Sequence, residues 1–221
     1  MSLQRRLGAE FLGSLLLLAT VVGSGVMGVN LAQGNDAVAL LANAGATAAV
    51  LYVLIVCLGP ISGAHFNPAV TLAMRLRGEV DSRATLAYLV AQVSGAVAGV
   101  LLAHAMFDLT LWQPGIRLRT GSAQWLSEGV ATFGLVLTIL LGVRHRAAAL
   151  PALVASYIFA AYWFTASTSF ANPAVTAARA LTQTFAGIRP ADAPAFIAAQ
   201  FAGALLALAV GTWLLRESEA P

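Results

Sequence analysis

The stretch Asn67-Pro68-Ala69-Val70-Thr71 recurs, residue for residue, as Asn172-Pro173-Ala174-Val175-Thr176. Longer matching contexts surround both copies. Ala91-Gln92 with Gly95-Ala96 follows the first, and Ala199-Gln200 with Gly203-Ala204 follows the second; Glu10 opens the first apolar run of one half and Glu128 that of the other. The chain therefore reads as an internal duplication, with halves of approximately 1–110 and 120–221. How the halves are related depends on what lies around the copies. Hydrophobic residues make up 59% of the chain and charged residues 10%, where a soluble domain carries about a quarter charged residues. Apolar runs at Leu7–Val29, Ala37–Cys57, Ala84–Phe107, Trp125–Val143, Ala147–Phe164 and Ala195–Leu215 match the roughly 20 residues that span a bilayer. Each half then holds three spans. An odd number forces the second half to enter the membrane upside down relative to the first, which defines an inverted repeat.

Between the second and third spans of each half lies a segment too apolar for an ordinary loop. The first, Pro68 to Leu76, reaches only about half of a ~30 Å hydrocarbon core at ~1.5 Å per helical residue, so it should re-enter from one face. Asn is a favoured helix N-cap and Pro a favoured first helical residue, so Asn67-Pro68 and Asn172-Pro173 each start a short helix. Inversion brings the two starts together near the midplane. Irregular backbone is tolerated there only when buried in protein or lining a water-filled cavity, which calls for a pore. The fold class expected is an all-α membrane protein with six transmembrane helices and two re-entrant half-helices, in a single channel domain spanning 1–221. Two helix N-termini facing one point present partial positive charge that disfavours cations, and the Asn67 and Asn172 amides offer donors to a passing oxygen.

The paired motifs, with Ser62-Gly63-Ala64-His65 before the first, closely resemble the aquaporin and aquaglyceroporin family, also called major intrinsic proteins. The resemblance implies that Asn67, Pro68, Ala69, Asn172, Pro173 and Ala174 form the pore centre, and that four chains assemble as a homotetramer with one pore each. It also implies a selectivity filter at Thr47, twenty before Asn67, and at Ala160, Ser169 and Val175, which stand twelve before, three before and three after Asn172. The family usually carries arginine where Val175 stands and an aromatic where Thr47 stands. A small, uncharged tetrad implies a wider pore for larger neutral solutes. Channels that are similar in having valine here occur beside bacterial arsenic-resistance genes, where the implied cargo is arsenite or methylated arsenic acids.

All twelve basic residues are arginine, eight on the side of the termini and four opposite. That asymmetry orients both termini to the cytoplasm across the cell inner (plasma) membrane. The first run is read as a retained span, since its length exceeds a signal-peptide core. The net charge of +3 thus reflects topology, and no nucleic-acid partner is expected. Lipid and small uncharged solutes are the expected partners; no cofactor or metal is expected, because His65, His104 and His145 form no ligand pattern.

Glu10 and Glu128 are ionisable groups within apolar spans, which by default suggests an ion pathway. The alternative is structural: re-entrant segments leave backbone N–H groups that need acceptors, and two repeat-related carboxylates supply them. His65 is a candidate pore-lining residue or pH gate, while His104 and His145 read as interfacial. Cys57 reads as a buried small residue. Gly95 with Gly99, and Gly23-Ser24-Gly25 with Gly28, mark close helix contacts. Arg179 stands four residues beyond Val175, on the same helical face. It offers either vestibule charge or a buried carbonyl contact. A competing function is an ion-coupled secondary transporter of inverted-repeat fold. An enzyme is disfavoured, since nucleophile, base and orienter do not converge.

Overall fold

The computed structural model describes residues 1–216, and within them all regular structure is helical. Six long helices run α1 (Leu3–Ala32), α2 (Asp36–Ser62), α4 (Ser82–Met106), α5 (Ser122–His145), α6 (Leu150–Phe164) and α8 (Ala193–Leu214). Two short ones, α3 (Pro68–Leu76) and α7 (Pro173–Arg179), interrupt them. The six, α6 and α8 counted with the single 3₁₀ turns ahead of them, are long and apolar enough to cross a membrane. Each of the six expected spans corresponds to one of them, with ends moved by a few residues because polar caps extend the helices beyond their apolar stretches. The Asn35 side chain accepts from the Ala37 and Val38 amides to start α2, and Asp81 accepts from Ala84 at 2.8 Å to start α4. The α2 helix runs through Pro60 and stops at Gly63, whose φ of 90° is a left-handed conformation that glycine adopts without strain.

The packing repeats between the halves. The α1 helix lies against α2 and α4, just as α5 lies against α6 and α8, and α2 meets α6 across the middle. Each short helix reaches into the other half as well: α3 touches α8, α7 touches α4, and the two short helices touch each other. Close approach depends on small residues, since lipid tails provide no hydrophobic drive between helices. A Cβ on Gly95 would fall 2.3 Å from the Phe11 carbonyl oxygen, and one on Gly99 2.2 Å from that of Leu15. The second half repeats the device, with Gly203 placing the same atom 2.2 Å from the Gly129 carbonyl.

Apolar side chains cover the outside, as a lipid-facing helix requires. Only 17% of the α2 apolar window is buried within the chain. Cys57 sits on that outward surface and is exposed, contrary to the expectation of burial, because α2 packs through a narrow face and presents the remainder outward. His104 also departs from expectation. It is fully buried rather than interfacial, held by the Leu111 carbonyl at Nδ1 (2.7 Å) and the Thr182 hydroxyl at Nε2 (2.8 Å).

Gly95→Ala should lower thermal stability in detergent by about 1–3 kcal/mol through overpacking against α1. Gly8→Ala, where nothing lies within 4 Å of the new methyl, should be neutral or slightly stabilising. Equal melting shifts for the two variants would refute the close-contact account.

Candidate functional site

The two short helices begin at the same kind of turn. Asn67 caps α3 by accepting from the Ala69 amide at 2.9 Å, and Asn172 caps α7 by accepting from those of Ala174 and Val175 at 2.9 and 3.3 Å. The carboxamide nitrogens then cross between halves. Asn67 Nδ2 donates to the Ala171 carbonyl and Asn172 Nδ2 to the Phe66 carbonyl, both at 2.8 Å. Each amide has two N–H groups, so one on each side remains for the lumen.

The loops leading to these caps are strained. Ala64, Phe66, Ser169 and Ala171 all have φ near 50°, a left-handed region that side-chain-bearing residues occupy at a cost. Two buried carboxylates hold the loops there. Glu10 accepts from the His65 amide at 3.0 Å, the Phe66 amide at 2.7 Å, Ser62 Oγ at 2.6 Å and Gln92 Nε2 at 2.8 Å. Glu128 accepts from the Phe170 and Ala171 amides, each at 2.9 Å, and from Gln200 Nε2 at 2.6 Å. Every oxygen of both carboxylates is committed to loop or glutamine donors, so neither is free to carry an ion. Gln92 and Gln200 complete the support by donating to Thr71 Oγ1 and Thr176 Oγ1, which donate in turn to the Asn67 and Asn172 carbonyls. The repeat matched these glutamines, but a polar residue within an apolar run carries no sign of its partner.

A cavity of about 250 Å³ passes the two caps, with Met74, Glu79 and Val143 toward the N-terminal side and Thr47, Tyr162, Ser169 and Arg179 toward the other. Asn67, Asn172, His65 and Val175 line it. Pro68, Ala69, Pro173 and Ala174 are buried and shape the helix starts. His65 Nδ1 lies 3.1 Å from Thr71 Oγ1. Because that hydroxyl already donates to Asn67, the imidazole carries its proton on Nδ1, and in the neutral ring Nε2 is an acceptor.

Of the four positions expected to form the filter, Thr47, Ser169 and Val175 meet the cavity, but Ala160 does not. Ala160 is exposed on the outer surface of α6, since the pore-facing residues Val154, Ile158 and Tyr162 follow the i, i+4 spacing of one helix face. Tyr162 takes the place expected of Ala160, its hydroxyl 3.3 Å from Thr47 Oγ1. Arg119, in the segment before α5, is buried behind this region, donating to the Gly187 and Ser167 carbonyls at 3.0 Å each. Burial, with Arg179 nearby, pushes its guanidinium down to about 9, so it stays charged at neutral pH.

A cavity that passes the caps of two opposed half-helices, inside six helices long and apolar enough to cross a membrane, is the architecture of a membrane channel. The major intrinsic protein family model matches residues 1–164, and the chain belongs to that family, whose members are channels for water and small solutes rather than enzymes. It is 58% identical over 214 residues to aquaglyceroporin AqpS of Rhizobium meliloti (strain 1021), covering 97% of this chain and 91% of that protein. A probable aquaporin, PIP2-8 of Arabidopsis thaliana, is 37% identical over 131 residues, 59% of this chain and 45% of that one. The X-ray structure of the aquaglyceroporin from Plasmodium falciparum superposes with a TM-score of 0.76 at 19% identity, covering 94% of this chain and 95% of that one.

Glu128→Gln should destabilise the folded protein by about 2 kcal/mol or more, the weight of a hydrogen bond to a charged group, while leaving the ranking of permeant solutes unaltered. Melting temperature and relative solute flux in liposomes check both halves of the statement. A stable variant with newly ion-dependent flux would return the carboxylate to an ion pathway.

Proposed function

We propose that the chain is a passive pore for water and small uncharged solutes of glycerol size, gated at its narrowest point by Thr47, Tyr162, Ser169 and Val175. One observation carries this reading. At the position directly after the second motif, where the family pattern has an arginine, Val175 opens an uncharged wall onto the cavity. Valine is shorter and offers no donor, so the lumen beside Ser169 is left to solute. The relative in Rhizobium meliloti is named an aquaglyceroporin, which supports passage of polyols beside water. Arsenous acid, and methylated arsenic acids in their protonated, uncharged form, are oxygen-bearing molecules of similar size and belong to the same proposed set. The chain is read as one channel domain made of the two halves, with both termini cytoplasmic in the plasma membrane and four copies forming a homotetramer.

A carrier needs a free acidic or carbonyl site for its coupling ion. The two buried carboxylates within the apolar spans, Glu10 and Glu128, are filled by loop and glutamine donors, and the buried Asp192 is paired with Arg189, which supports uncoupled flux.

Purified protein in liposomes, tested by stopped-flow against water, glycerol, urea, arsenite and methylated arsenicals, tests the solute set. Val175→Arg should cut glycerol flux by about tenfold, equivalent to ~1.4 kcal/mol of barrier, while retaining much of the water flux. The planar guanidinium would face the Tyr162 ring and fill the lumen. Thr47→Phe combined with it should narrow the pore further. An unchanged glycerol-to-water ratio in Val175→Arg would remove Val175 from the constriction.

A further inference from the structure

We infer that Arg179, one helical turn beyond Val175, supplies the fixed positive charge and the solute-oxygen donors of the mouth opposite the N-terminal side. The inference rests on reading the cavity as the pore. Arg179 is only 2% exposed, and it lines that cavity. Its Nε donates to the Ala186 carbonyl, and its guanidinium carbon lies 3.3 Å from the centroid of the Phe170 ring. These contacts hold the plane in place and leave the remaining donors unspent. Among the described residues no carboxylate pairs with Arg179, and neither terminal nitrogen has a protein acceptor. A buried guanidinium with free N–H groups facing a lumen is a preformed site for oxygen.

Two neighbours strengthen the assignment. Ser169 lines the same space, its hydroxyl turned inward and without a partner among the described residues. Arg119 approaches the same Phe170 ring, its guanidinium carbon 4.9 Å from the centroid, but it is absent from the cavity wall and spends its donors on the Ser167 and Gly187 carbonyls. It adds charge from behind. Among the described residues the one carboxylate on the cavity wall, Glu79, belongs to the other mouth. A cation entering past Arg179 therefore meets its guanidinium, with the Arg119 charge behind it, and then the positive ends of α3 and α7, while the nearby carboxylates are turned away from the lumen: Glu128 is spent on loop amides and Asp192 on Arg189 and the Arg119 amide. An uncharged polyol or oxyacid meets instead the Arg179 N–H groups. The barrier that valine cannot provide at position 175 is displaced by one turn along the same helix face.

The test is the cation-to-water permeability ratio in liposomes holding the full chain, measured as sodium-gradient current beside stopped-flow water flux. Arg179→Gln and Arg179→Met both remove the charge, and Met keeps the apolar stem over Phe170, so the two sample different packing solutions. Either variant should raise the ratio by roughly tenfold or more, because a fixed charge is lost from a confined path. The exchange Val175→Arg with Arg179→Gln should restore exclusion, an outcome that a packing role for Arg179 does not produce. An inserted Arg179 variant with the parent's ratio overturns the inference, as does a rise in Arg119→Gln without one at Arg179. Parent protein that passes no water would instead overturn the pore reading, and the inference with it. Parent flux with intact exclusion in the Arg179 variants removes the inference alone.

Discussion

Everything at the centre of this channel depends on two buried carboxylates accepting backbone N–H groups. The re-entrant loops run through left-handed residues that bear side chains, and such a backbone does not persist unless its surroundings hold it. Glu10 and Glu128 provide that hold at matched positions, 0% exposed, each taking two consecutive loop amides. A charged acceptor is suited to this task because its bonds are roughly twice as strong as neutral ones. The arrangement also resolves the apparent cost of a carboxylate within the bilayer, since its lone pairs are met by donors that would otherwise be orphaned.

From the loops the logic passes to the caps and then to selectivity. With the loops held, Asn67 and Asn172 face each other, and the positive ends of two helices share one short stretch of lumen. A solute there meets donors and the positive ends of two helices, which is the basis of the proposed preference for uncharged molecules with oxygens over cations. The outer helices need only exclude lipid and hold the distance between halves. Glycines at the α1–α4 and α5–α8 contacts set the spacing within each half by letting backbone meet backbone.

The architecture was readable because the features that specify it are local and duplicated. Apolar runs, an odd number per half, and Asn-Pro at each half-helix start lead to inversion and to a central pore. The roles of Glu10 and Glu128 followed from counting amides that need acceptors. What escaped depends on rotation about a helix axis. Ala160 and Tyr162 are two residues apart, about 200° around α6, and counting from a motif across an intervening loop does not say which of them faces inward. Cys57 was misjudged for the same reason, since a helix apolar on all sides shows no preferred face. His104 lies near a helix end yet meets Thr182 from a distant loop, a contact with no trace in local pattern. Arg179 was noticed, but its environment depends on Phe170 and Ala186, whose positions only the folded loop defines.

The crossed amide bonds at the pore centre also bear on how the protein is made. Asn67 reaches a carbonyl 104 residues further along the chain, and Asn172 one 106 residues back. When the first three spans have left the ribosome, the α3 cap therefore faces a gap where its partner will be. Contacts of such long sequence separation form late, and here the partner does not exist until the second half has been synthesised and inserted. The centre of the channel is consequently the last part to be assembled. A first half on its own would sit in the membrane with a polar loop at half depth and nothing to close it, so the membrane stays sealed only if the wait is short or the loop is shielded meanwhile.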